Sequence, residues 1–150
     1  MYFIDSKKIT NNLSYMDDIT AVFESRENWL EDAVSKLALE RIANVYIEAI
    51  IDIGNTMIDG FIMRDPGSYE DIIDILVDEK AIPQSFDADL KLLLTVRRPL
   101  VRDILEVEDE EILRILNKIM PTLKQLRHSI ETFVEKEMGS TVTAFIPEED

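Results

Sequence analysis

The chain has 150 residues, of which 46% are hydrophobic and 31% charged, and its formal net charge is -15. This balance is typical of a globular protein, and the length suits one domain with a single core. The absence of cysteine excludes disulfides, thiolate nucleophiles and cysteine-ligated metal centres. So acidic a chain repels polyanions on average, which argues against broad coating of nucleic acid but leaves room for a local basic cleft.

The hydrophobic segments are short. None approaches the roughly 20 apolar residues that a bilayer-spanning helix needs, so no membrane association is expected. The N-terminal sequence MYFIDSKK has neither the basic region nor the long apolar core of a secretory signal. We therefore expect a cytoplasmic protein.

The first half of the chain predicts two helices. The first begins after Asp5 or Ser6 as N-cap and buries a stripe made of Ile9, Leu13, Met16 and Phe23. The second is long and central, runs from about 28 to 58, and is opened by Asn28 with Glu31 three residues later. Its polar residues recur every three or four positions and form one narrow stripe: Asn44, Glu48, Asp52, Asn55 and Asp59. Gly54 suggests close approach by another helix.

The second half predicts further helices separated by breaks. Pro66 and Gly67 form a turn, after which Ser68 caps a short third helix. Ser85 is the predicted cap of a fourth helix that ends at Leu94, and Pro99 should bend or restart the chain after it.

The last helix has the clearest pattern. Its apolar seam alternates steps of four and three residues: Ile112, Leu116, Ile119, Leu123, Leu126, Ile130 and Phe133. Pro121 is expected to kink it and Gly139 to end it. The fold class predicted is all-α, an antiparallel bundle of about five helices. Residues 1–137 form the single domain, and residues 138–150 form a C-terminal tail.

Metal and cofactor sites find little support. The chain has one histidine, His128, with no Glu-x-x-His pair, so no metal site is expected. His128 itself is interpreted as a surface or bundle-edge residue. The acidic series Asp71, Asp74 and Asp78 is typical of a solvated helix face. No glycine-rich phosphate loop is present, and no cofactor is expected.

The stretch TVRRPLVRDIL concentrates positive charge beside a predicted helix break. Its arginines, Arg97, Arg98 and Arg102, could grip phosphate or carboxylate through paired hydrogen bonds. They could equally be neutralised within the chain, and the acidic candidates are Glu48, Asp52, Asp59, Asp103 and Glu106. Both interpretations stay open from the residues alone.

Three ordered blocks carry a resemblance to a known family: ALERIANVYIEAIIDIGNTMI, DPGSYEDIIDILVDEKAIP and LKLLLTVRRPLVRDIL. Together they resemble the HepT-like branch of the HEPN superfamily over residues 35–137. The members of this branch are helical toxins found beside a minimal nucleotidyltransferase antitoxin. The resemblance implies an all-α homodimer whose two protomers place the motif R-x4-H-x-Y in a shared cleft and cleave RNA without metal.

The motif is degenerate in this chain. By the resemblance, Arg97 takes the motif arginine and Arg98 the polar position that follows it. Arg102 stands in place of the histidine and Ile104 in place of the tyrosine. Arginine is always protonated and makes a poor general base, so we expect impaired catalysis. Ile104 also lacks the hydroxyl onto which an antitoxin could transfer a nucleotide, so such a partner would have to act by binding.

Three hypotheses about function follow. The chain is a catalytically impaired HepT-like protein, an active metal-free ribonuclease toxin that uses Arg97 and an altered site, or a non-enzymatic dimeric module that binds a nucleotidyltransferase or another partner. The candidate catalytic residues are Arg97 and Arg102. The candidate phosphate- or RNA-binding residues are Arg97, Arg98 and Arg102.

Overall fold

A computed structural model describes residues 4–139 of the chain. These residues form six α-helices and no strand, which confirms the all-α prediction: α1 (Ser6–Glu24), α2 (Ala33–Gly60), α3 (Tyr69–Asp78), α4 (Asp87–Leu94), α5 (Arg97–Val101) and α6 (Asp109–Gly139). Two short 3-10 turns, Gln84–Phe86 and Ile104–Glu106, precede α4 and follow α5. Residues 140–150, most of the predicted tail, lie outside the described residues.

Helix α2 is the centre of the fold, as predicted, because it packs against each of the other five helices. Its fully buried Tyr46 places the phenol oxygen 2.6 Å from the Thr20 hydroxyl of α1. Burial raises the pKa of Tyr46. The predicted polar stripe is confirmed as the half-buried or exposed face of this helix. One polar face on an otherwise buried helix is therefore available to build a site.

The apolar stripes of α1 and α6 are confirmed. Every predicted stripe residue of α1 is buried, and so are the first six residues of the α6 seam, while Phe133 is half-buried. Helix α6 continues through Pro121 as one helix of 31 residues. None of the helices within residues 4–139 is long and apolar enough to cross a membrane.

The predicted start of α2 is wrong by five residues. The helix begins at Ala33, and its N-cap is Asp32, whose carboxylate accepts a hydrogen bond from the Ser35 amide at 2.8 Å. Trp29 is buried in the preceding loop and stacks on Phe23 with 5.9 Å between the ring centroids. Tertiary burial of this indole therefore holds residues 28–32 outside the helix.

Helix α3 begins as predicted, since the Ser68 hydroxyl accepts a hydrogen bond from the Asp71 amide at 3.0 Å. It packs closely on α2 at Gly54, where an added Cβ would lie 2.3 Å from Cγ2 of Ile72. The close approach expected at this glycine is confirmed. The expected Ser85 cap is wrong: Ser85 lies inside the 3-10 turn, and α4 begins at Asp87 without a side-chain cap.

Candidate functional site

Helix α5 is a single short element between the end of α4 and the start of α6. Pro99 is its third residue, inside the first turn, where the missing amide hydrogen costs no helical hydrogen bond. The carbonyl of Arg98 accepts from the amides of Arg102 at 2.8 Å and Asp103 at 3.0 Å, which closes the element. The proline thus restarts the chain as predicted and sets the three arginines on a tight turn.

Arg97 joins three helices. Its Nε donates to Oε2 of Glu48 on α2 at 2.9 Å, and its guanidinium lies 4.4 Å from the ring centroid of Tyr69 on α3. The arginine side chain is only 26% exposed. Glu48 was one of the acidic partners considered from the sequence, so the intramolecular pairing of Arg97 is confirmed.

The other two arginines differ from Arg97 and from each other. Arg98 is 74% exposed and donates to Asp103 at 3.0 Å, a solvated ion pair that contributes little to stability. Arg102 is exposed and forms no ion pair with the described residues. Among the described residues, Arg102 is therefore the one of the three arginines whose positive charge no carboxylate compensates.

These side chains line an open groove of about 610 Å³, which we call the arginine groove. Its polar and apolar walls come from α3, α4 and α5, chiefly Tyr69, Glu70, Arg97, Arg98, Val101 and Arg102. The structure thus brings all three predicted arginines to one groove. Planar guanidinium groups of this kind bind phosphate oxygens through charge-assisted hydrogen bonds.

Tyr69 belongs to this site although the sequence reasoning did not identify it. It is the first residue of α3, 43% exposed, and its ring forms the face on which Arg97 lies. The local pattern around it shows only a capped helix start. An exposed aromatic residue at that position is the one available signal, and it does not identify Arg97 as the partner.

His128 lies elsewhere. It is exposed on α6 and lines a different groove with Lys80, Ile82 and Lys136, so it is not part of the arginine groove. The interpretation of His128 as a surface residue is confirmed. Within residues 4–139 no group of three or more histidine, aspartate or glutamate side chains is arranged to hold a metal ion. The acidic series on α3 is instead paired with Arg64 and Lys91.

A pair of carboxyl groups joins α2 to the start of α6. A hydrogen bond with Asp109, together with burial, raises the pKa of Glu40 to about 7. No N–H or hydroxyl group of the described residues bonds to the buried Oδ1 of Asp109. A proton shared between the two carboxyl groups accounts for the raised pKa of Glu40 and for the Asp109 oxygen that has no other donor. The sequence reasoning missed this pair, because the two residues are 69 positions apart.

The apolar residues on either side of Arg102 are exposed. Val101 is 41% exposed, Ile104 66% and Leu105 96%. Ile104 occupies the position that the resemblance assigns to a tyrosine, and within the described residues its side chain is not packed into the core. An apolar patch of this kind beside a charged groove is typical of a protein interaction surface.

Comparison with known proteins shows which family the chain matches. Residues 9–130 match the family model described as "Ribonuclease HepT-like". The Bacillus subtilis (strain 168) protein named "Putative RNase YutE" is 42% identical over 145 residues, which is 97% of this chain and 99% of that protein. A solved structure of Bacillus subtilis YutE, described as a cytosolic protein of unknown function, has a TM-score of 0.89 and covers 93% of this chain and 96% of its own.

A more distant solved structure shares the fold. It is described as a tri-AMPylated Shewanella oneidensis HEPN toxin in complex with MNT antitoxin, and it has a TM-score of 0.72 at 19% identity, covering 83% of this chain and 97% of that one. The family match covers most of the chain, and the relative at 42% identity spans nearly all of it. The chain belongs to the HepT-like ribonuclease family of the HEPN superfamily.

Proposed function

We propose that this protein is a HepT-like homodimer that binds RNA phosphate in the arginine groove and is impaired as a ribonuclease. The observation that carries the proposal is Arg102, an exposed cation with no ion pair in the described residues, at the position where the resemblance places a histidine. A guanidinium there can bind a phosphate and stabilise negative charge on it. It cannot take up and release a proton at neutral pH.

The chemistry explains the impairment. Metal-free cleavage of RNA removes a proton from the attacking 2′-hydroxyl and returns one to the departing 5′-oxygen, and groups with pKa values near neutrality do this best. The ionisable residues that line the groove are Tyr69, Glu70 and the three arginines. The pKa of Glu40 is raised to about 7 by its hydrogen bond with Asp109 and by burial, but neither residue lines the groove.

One observation favours an active enzyme as the second candidate. Glu70 is exposed at the rim of the arginine groove, where a carboxylate could accept the 2′-hydroxyl proton. The relative at 42% identity also carries a ribonuclease name. In this alternative Arg97 and Arg102 stabilise the charged phosphorus centre and Glu70 replaces the missing histidine as the base.

The homodimer and the partner belong to the same proposal. Val101, Ile104 and Leu105 form an exposed apolar edge beside the groove, and contact between two copies would bury it and bring two arginine grooves together.

A nucleotidyltransferase of the antitoxin type is the proposed protein partner, supported by the Shewanella oneidensis toxin that is described in complex with MNT antitoxin. It would act on this chain by binding. A cytosolic location is proposed from the description of YutE.

Binding of RNA in the arginine groove is tested by fluorescence anisotropy with a labelled single-stranded RNA at several salt concentrations. We expect the wild type to bind and Arg102→Ala to weaken binding, with the slope of log affinity against log salt reduced by about 0.7 for the lost phosphate contact. Arg114→Ala removes another exposed arginine, from α6, and should leave both quantities unchanged. Equal effects of the two substitutions would contradict phosphate binding in the arginine groove.

A further inference from the structure

A second groove lies on the polar stripe of α2, facing α1. It has a volume of about 390 Å³, and we call it the amide groove. The residues that matter for its chemistry are Tyr15, Arg41, Asn44, Glu48, Asp52 and Asn55. Three types of group are therefore collected in one place: an aromatic ring, two side-chain amides and charged side chains.

The two carboxylates of the amide groove are already neutralised. Glu48 accepts from Arg97 at 2.9 Å, and Asp52 accepts from Asn12 at 2.9 Å and pairs with Lys8 at 3.2 Å. Arg41 is exposed and forms no ion pair with the described residues. Among the described residues, Arg41 is therefore the one cation of the groove without an ion pair, which suits a ligand that carries a single negative charge.

Asn44 offers a hydrogen-bonding atom that the protein does not use. Its Oδ1 is buried, and among the described residues nothing donates to it. A buried acceptor without a donor is unfavourable, and most such atoms in folded proteins are satisfied. Three turns further along the same face, about 16 Å away by the helix rise, Asn55 is exposed, and no residue of the described part of the chain pairs with its amide. Asn44 is thus the amide that can pair with the polar edge of a base, whereas Asn55 lies too far along the helix to contact the same base.

Tyr15 completes the site. Its side chain is 47% exposed on α1 and lines the amide groove. Exposed aromatic rings of this kind stack unpaired bases in proteins that bind single-stranded nucleic acid. One nucleotide needs a planar ring on which its base can stack, an amide that pairs with the edge of the base, and a cation that binds its phosphate. The amide groove has all three groups.

The amide groove adjoins the arginine groove. Glu48 lines the amide groove, while Arg97, the residue that it binds, lines the arginine groove. The Arg97–Glu48 ion pair is therefore the wall between the two. An RNA strand whose phosphates lie in the arginine groove and which continues across this ion pair enters the amide groove, where a base can contact Tyr15 and Asn44.

We infer that the amide groove binds one unpaired nucleotide of the RNA that occupies the arginine groove, with its base stacked on Tyr15, its polar edge on Asn44 and its phosphate on Arg41. The inference rests on the proposed function, since it takes RNA as the ligand. Asparagine pairs with adenine through the exocyclic amine and the neighbouring ring nitrogen. Uracil offers Asn44 Oδ1 only its ring N3–H, and its single ring stacks on Tyr15 over a smaller area than the two rings of adenine. Adenine is therefore the base expected to bind this groove more tightly.

The test compares oligoadenylate and oligouridylate of equal length by fluorescence anisotropy. We expect the wild type to bind oligoadenylate at least about 5-fold more tightly. Asn44→Ala should reduce that preference, and Tyr15→Ala should weaken binding of both oligomers at least about 5-fold. Asn117→Ala, which removes an exposed asparagine from α6, is the matched control and should change neither quantity. Because Asn44 is half-buried, the exposed Tyr15 gives the result that does not depend on folding.

The outcomes separate this inference from the proposed function. If Arg102→Ala weakens both oligomers while the amide-groove variants behave like Asn117→Ala, the second groove is not a nucleotide site and the proposed function stands. If the wild type binds neither oligomer, both proposals are overturned. If Tyr15→Ala converts a dimer into a monomer in sedimentation velocity, a second copy of the chain occupies the groove and the inference is wrong.

Discussion

Arg97 on α5 donates to Glu48 on α2 at 2.9 Å while its guanidinium lies 4.4 Å from the ring centroid of Tyr69 on α3. One side chain thus ties three helices together and forms part of a groove with two further arginines. By the resemblance, Arg97 is the arginine of the catalytic motif. Its contacts with Glu48 and Tyr69 hold it in position, and Glu48 compensates its charge. Of the three arginines in this groove, Arg102 is the one that forms no ion pair within residues 4–139.

Removing Arg97 should cost stability as well as binding. The Glu48 side chain is 44% exposed, so the ion pair is worth less than about 1 kcal/mol, and the contact with Tyr69 adds roughly 0.5–1 kcal/mol. We expect Arg97→Ala to lower the free energy of unfolding by about 1–2 kcal/mol in urea titrations followed by circular dichroism. Arg114→Ala, which removes a more exposed arginine, should cost less than about 0.5 kcal/mol. Equal losses would show that the three-helix contact contributes nothing.

The contact between α2 and α3 predicts the effect of a methyl group at Gly54. Alanine there would gain about 1 kcal/mol of helix propensity, but its Cβ would lie 2.3 Å from Cγ2 of Ile72. Overpacking of this kind costs about 1–3 kcal/mol or more, so Gly54→Ala should be destabilising overall. Gly67→Ala is the control, because the nearest atom to its added Cβ is Asp71 Oδ2 at 3.8 Å. A more stable Gly54→Ala protein would disprove the close packing of these helices.

The Glu40–Asp109 pair predicts a stability that falls as pH rises. The pKa of Glu40 is raised in the folded state to about 7 from its ordinary value of 4.5, so between these values the folded protein binds more protons than the unfolded chain. This contribution to stability is complete below about pH 4.5 and is lost as pH rises through about 7. Glu40→Gln should flatten the dependence in urea titrations from pH 5 to 8.

The control for this pH dependence is Glu110→Gln, which changes an exposed glutamate one residue after Asp109. Its curve should keep the slope of the wild type. A Glu40→Gln protein whose stability follows pH with the wild-type slope would show that the two carboxyl groups share no proton.

The exposed apolar edge predicts the oligomeric state. Leu105 is 96% exposed, and a charge there should oppose burial between two copies of the chain. We expect the wild type to sediment as a dimer and Leu105→Glu as a monomer at the same concentration. Val34→Glu places the same charge at another exposed apolar position, on α2, and should leave the dimer intact. A dimer that survives Leu105→Glu would place the interface elsewhere.

The sequence predicted what depends on local periodicity. The stripes of α1 and α6 and the Ser68 cap could be identified because each needs only residues a few positions apart. The start of α2 could not, because the burial of Trp29 against Phe23 depends on tertiary packing.

The candidate site was predictable to the same extent as the fold, because only its local patterns could be identified from the sequence. The arginines and their degenerate motif were identified from one short stretch. Tyr69 and the Glu40–Asp109 pair were not, because their partners lie far away along the chain and no local pattern connects them.

We propose that the arginine groove keeps its phosphate-binding charge and lacks a proton-transfer group. The most direct test is cleavage of RNA by metal-free protein in the presence of a chelator. We predict little cleavage by the wild type, clear cleavage by the double variant Arg102→His with Ile104→Tyr, and loss of that gain when Arg97→Ala is added. Robust cleavage by the wild type that Arg97→Ala abolishes would contradict the account.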